Sequence, residues 1–130
     1  MKWTQGIYDK IRANSALQNL VGNKVYPLVA PEGTALPYIV YEVTNTTVEQ
    51  SHDKSEAEMA TFEVVLDCKQ YADAALHARN MRIALDRENW KITGADVVET
   101  VFLQEQEIER IVDPEGYAVV SEFETFVQFK

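Results

Sequence analysis

Residues 24–44 read KVYPLVAPEGTALPYIVYEVT, and the fold turns on how this stretch divides. Val25 and Tyr26 begin a short strand that Pro27 stops, because proline has no N–H to give a neighbouring strand. A connector rich in Pro, Gly and Ala runs from Leu28 to Leu36. Pro37 then opens a strand with alternating faces, Ile39, Tyr41 and Val43 on one and Tyr38, Val40, Glu42 and Thr44 on the other. The β-branched Ile39, Val40 and Val43 and the aromatic Tyr38 and Tyr41 suit a packed, pleated strand. We read it as the central strand, with helices before and after it.

Upstream, Trp3, Ile7 and Ile11 recur every four residues and share one helical face, with Asp9, Lys10 and Arg12 turned outward. The stripe fails at Asn14 and Gln18. Asn14 or Ser15 instead reads as the N-cap of a second short helix holding Leu17, Leu20 and Val21 and ended by Gly22. Downstream, the polar segment Asn45 to Ala57 is too long for a tight hairpin turn, and an extended hairpin tip or mobile loop is expected. From Met59 to Lys69 the alternation is clean, with Phe62, Val64, Leu66 and Cys68 on the apolar face and Thr61, Glu63, Val65 and Asp67 facing outward.

A helix is expected from about Ala72 to Glu88, burying Tyr71, Ala74, Ala78, Met81 and Leu85 with Ala75 alongside. His77, Arg79, Asn80, Asp86 and Arg87 point away. Strand alternation returns after Trp90 at Val97, Val101 and Leu103, and Asp113-Pro-Glu-Gly reads as a turn. In the last strand, Tyr117 to Phe129, Val119, Phe123, Val127 and Phe129 take the odd positions with Ser121 and Thr125. Glu122, Glu124 and Gln128 take the even ones with Val120 and Phe126, and the charges on the polar face of this closing hairpin are nearly all negative. The expected fold is a single α+β domain over residues 1–130. Its mainly antiparallel sheet of about five strands carries two main helices on one face, in the order α-β-β-β-α-β-β.

The chain has 130 residues and an apolar fraction of 46%, enough for one domain with a substantial core. Its apolar runs are far shorter than the ~20 residues needed to span a bilayer, and no membrane association is expected. The start, MKWTQGIYDK, lacks the apolar core of a signal peptide, and a single cysteine forms no internal disulfide. A protein made in the cytoplasm is expected. Net charge is −9 and uneven: residues 1–95 hold 12 acidic and 10 basic side chains, whereas residues 96–130 set nine acids against Arg110 and Lys130. Such a chain mostly repels nucleic acid. The asymmetry reads either as a solvated face or as the acidic lining of a passage that DNA crosses without sticking.

Chemistry is scarce. His52 lies in the polar segment and His77 on a helix, and neither belongs to a metal-binding pattern. Cys68 with His77 would make a nucleophile and base, but Cys68 continues an apolar strand face and reads as a buried structural thiol. Glu105, Glu107 and Glu109 alternate and would share one strand face. That arrangement suits solvent, or at most weak binding of a divalent cation. The five glycines are isolated, which excludes phosphate-cradling loops. Neither an enzyme nor a cofactor is expected.

The helix, short second helix, KVYP, APEGTALP and PYIVYEV, followed by FEVVLDCKQYADAALHARNMRIAL and the closing hairpin, resemble the siphophage tail-completion proteins, also called tail terminators. The resemblance spans nearly the whole chain and carries structural signatures rather than chemistry. It implies a virion protein of the tail neck that forms a homo-oligomeric ring, usually of six subunits. Such a ring caps the last ring of tail tube protein and offers a docking surface to the head connector or stopper, with DNA passing through its lumen. Contacts with subunits or partners are expected from the polar segment, Glu49, Gln50, Ser51, His52, Asp53, Lys54, Ser55 and Glu56, and from Glu105, Glu107 and Glu109. Another neck component, such as a head-completion or stopper protein, is an alternative. So is an acidic binding module of the DNA-mimic inhibitor kind.

Overall fold

The computed structural model describes residues 3–50, 56–92, 95–112 and 115–129. The chain begins with α1 (Gln5–Ala13), whose Ile7 and Ile11 are fully buried. Asn14 breaks the helix. Its backbone is extended, its own N–H reaches back to the Ile11 carbonyl, and its Oδ1 accepts from the Leu17 N–H at 3.1 Å. That cap starts α2 (Ser15–Val21), which ends at Gly22 with φ of +62°, a left-handed conformation that glycine adopts without strain.

Among the described residues seven strands follow, β1 (Val25–Pro27), β2 (Tyr38–Gln50), β3 (Glu56–Cys68), β4 (Trp90–Ile92), β5 (Ala95–Glu105), β6 (Glu109–Val112) and β7 (Glu115–Phe129), with α3 (Tyr71–Leu85) between β3 and β4. The sheet order is β1-β2-β3-β7-β5-β4, with β6 beside β7. Only β1 and β2 pair in parallel. The class is therefore α+β as expected, with more strands than five. β2 is not the centre, for only the three-residue β1 lies outside it. The centre is β7, which has β3 along one side and β5 and β6 in succession along the other.

Phe62, Val64, Leu66 and Cys68 of β3 and Val119, Phe123 and Val127 of β7 are buried on the face that receives the helices. Phe62 stacks on Phe123 with ring centres 5.3 Å apart, while Trp3 and Phe102 meet this pair edge-on. Ala74 and Ala78 let α3 sit close to the sheet, and Met81, Ala84 and Leu85 complete its buried face. Tyr71 and Ala75 do not belong to that face. Tyr71 starts the helix at the sheet's end, 57% exposed and edge-on to Tyr117, and Ala75 is exposed. The sheet curls until both outer strands reach α1: β1 packs on it directly, and the Trp90 indole of β4 donates to the Trp3 carbonyl and fills the space where Gly6 has no side chain.

β5 departs from simple alternation. Its register with β7 slips between Val97 and Glu99 and again between Phe102 and Gln104. Val97 is buried, but after the first bulge Thr100 and Phe102 face inward, leaving Val101 and Leu103 41% and 44% exposed. Asp67, expected to face outward, is only 8% exposed.

Candidate assembly surfaces

The helices cover one face of the sheet and leave the other bare. Register places a row of carboxylates across that bare face, Glu42 opposite Glu63 and Glu63 opposite Glu122, with Gln104 donating to Glu122 at 2.9 Å. Adjacent rows add Glu124 and Glu99. Neighbouring strands lie ~4.8 Å apart, so the row is a like-charge ladder that costs rather than contributes stability. Among the described strands, the one Lys or Arg that register puts on this face is Lys91, opposite Asp96 at the β4 edge. Asp67 lies at the end of the same face, where burial pushes its carboxyl up to about 6, and burial, with the Asp67 charge added, raises the Tyr38 phenol.

A second surface is the β2–β3 arm. From Thr44 to Val48 five successive side chains are exposed, so the alternation seen at Ile39 and Tyr41 ends and neither face of β2 is covered. β1 reaches only Tyr41, and among the described residues no strand lies outside β2 beyond it. The arm's β2 edge thus presents unpaired backbone groups. Glu49, Gln50 and Glu56 belong to the arm's strands, whereas Ser51, His52, Asp53, Lys54 and Ser55 lie outside the described residues, as do Asp113 and Pro114 of the expected turn.

Glu105, Glu107 and Glu109 are all exposed but do not share a strand face. β5 ends at Glu105, Glu107 lies between strands, and β6 starts at Glu109. Glu105 pairs with Ser121 on the helix side, and Glu109 with Ala118 on the bare side. The acids that do line up, Glu42, Glu63 and Glu122, come from three strands, and only the sheet order joins them.

The third surface is the outward side of α3, where Leu76 and Ile83 are 61% and 58% exposed. Among the described residues no catalytic grouping accompanies these surfaces. Burial, with Asp73 and Asp67 nearby, pushes the Cys68 thiol up to about 12, the opposite of an activated nucleophile. His77 hydrogen-bonds Asn80 on its own helix. Among the described residues no cluster of His, Cys, Asp and Glu could hold a metal ion.

The sequence matches the family described as tail completion protein gp17 over residues 5–128. The chain belongs to that family. It is a structural protein of a virion tail. The fold is also similar to that of a chain in a solved structure titled "Virion of native gene transfer agent (GTA) particle", with a TM-score of 0.74 and 21% identity, covering 98% of this chain and 99% of that one. No curated protein matches the sequence.

Proposed function

We propose that this tail completion protein forms a ring, of six copies, at the head-proximal end of a long non-contractile tail. The ring ends tube growth and presents the surface on which the head connector docks. It does so without catalysis, by shape and by many weak contacts. The observation that carries this reading is the β2–β3 arm. In this arm β2 is exposed on both faces from Thr44 to Val48 and has an open outer edge, so its order is best repaid by a subunit or partner laid against it. Deleting residues 50–56 is expected to leave the circular dichroism of the folded chain unchanged and to yield tails that do not join heads. Normal infectious particles from the deletion would contradict the proposal.

One observation favours a second reading. The ladder of Glu42, Glu63 and Glu122 also suits an acidic module that occupies the DNA site of another protein. Binding to an isolated DNA-binding protein, competed by duplex DNA, would favour it over the ring.

A further inference from the structure

Two uncovered faces of this molecule fit one another chemically. On the bare side of the sheet, the glutamates of the cross-strand row alternate with apolar ground. Val65 and Val120 lie half-buried in the row beside it, and Val101 is exposed opposite Glu124. On the outward side of α3, Leu76 and Ile83 stand seven residues apart, two turns along one stripe, with Arg79 between them and Arg82 alongside. The Arg82 guanidinium lies 4.4 Å from the centre of the Phe102 ring of β5, which holds it at the groove between α3 and β5. Asp86 and Glu105 border the same hollows, but the Asp86 carboxylate already accepts the Phe102 N–H at 2.8 Å. Neither arginine forms an ion pair among the described residues. Each therefore keeps donors in a planar fork that matches a carboxylate.

We propose that the α3 stripe of one copy docks on the bare carboxylate face of the next. The contact would take Leu76 and Ile83 out of water and set two guanidinium groups against a row of carboxylates that repel one another in the single chain. It joins different faces of the two copies, so it repeats head to tail and closes into a ring when the rotation per copy allows. The matched charges fix the register of docking. The inference rests on the self-assembly part of the proposed function and goes beyond it by naming the surfaces that meet.

Charge exchange tests the pairing. Arg79→Glu with Arg82→Glu makes both faces acidic, and Glu63→Lys with Glu122→Lys sets lysines against the arginines in the middle of the row. Each variant, folded by circular dichroism, is expected to sediment as a monomer where the wild type is an oligomer. An equimolar mixture is expected to regain the wild-type mass. Wild-type mass in either variant alone, or no recovery in the mixture, would overturn the pairing while leaving the ring reading standing on the wild-type oligomer.

Should a charge variant fail to fold, Ile83→Cys with Glu63→Cys decides. Oxidation, or a short bismaleimide, is expected to give a ladder of chain-to-chain bridges, in free solution or on tail tubes. A chain that binds tail tubes yet shows no bridge overturns the pairing alone. A chain that neither self-associates nor binds tubes overturns the pairing and the functional reading together.

Discussion

Replacing Asp67 with Asn should stabilise the protein, and the gain should depend on pH. Asp67 is 8% exposed, and burial raises its carboxyl from 3.8 to about 6. Between these values the folded chain holds a proton that the unfolded chain has released. Stability therefore falls as pH rises through that window and is level above it. Roughly two pH units at about 1.4 kcal/mol each set an upper bound of ~3 kcal/mol on the cost of the buried charge at pH 8. Asn removes the charge and nearly preserves the shape. Urea unfolding followed by the fluorescence of Trp3 and Trp90 should show the variant ~1–3 kcal/mol more stable at pH 8. The gap should close near pH 4, where folded Asp67 is already neutral. A variant less stable than wild type at pH 8, or a gap unchanged between pH 4 and pH 8, would refute the reasoning.

Three further outcomes are expected. Phe62→Ala removes the ring held between Trp3 and Phe123 and should cost about 3–5 kcal/mol in the same urea assay. Glu63→Gln interrupts the row between Glu42 and Glu122. It should raise stability of the single chain by ~0.2–1 kcal/mol in low salt, with the difference fading as salt screens the repulsion. Cys68, fully buried with its thiol pushed up to about 12, should resist a thiol reagent at pH 8 until urea unfolds the chain, which a time course of labelling reads directly.

Where burial follows one uninterrupted period, the sequence was easy to read. β3 and β7 keep strict alternation, so Phe62, Val64, Phe123 and Val127 fall inward as their positions imply. Trp3, Ile7 and Ile11 hold their helical stripe, and Asn14 caps the second helix as its side-chain chemistry favours. β5 was misread because each bulge inserts a residue that reverses the parity, a feature of pairing that composition does not mark. β4 and β6, of three and four residues, are too short to show a period. The apolar run at Tyr38–Val43 suggested a central strand, but centrality depends on which strands lie alongside. The 15 residues of β7 accommodate two partners in succession on one side.

The candidate surfaces divide in the same way. The negative polar face of β7 was visible from Glu122 and Glu124, and the exposed arm from the polar run after Val43. The row that joins Glu122 to Glu63 and Glu42 was not visible, because it is made by register between strands far apart in sequence. The exposed Leu76 and Ile83 were also missed. The buried face of this helix is largely alanine, with Met81 and Leu85, and the further large apolar residues Leu76 and Ile83 lie on the outward side.

The central claim, that this chain completes tails by capping one end of the tube, is tested most directly by electron microscopy of gold-labelled protein mixed with purified tail tubes. The account predicts one labelled ring at a single end of each tube and no further growth from that end when tube subunits are added. Label scattered along the tube walls, label absent from the tubes, or growth continuing past a labelled end would contradict it.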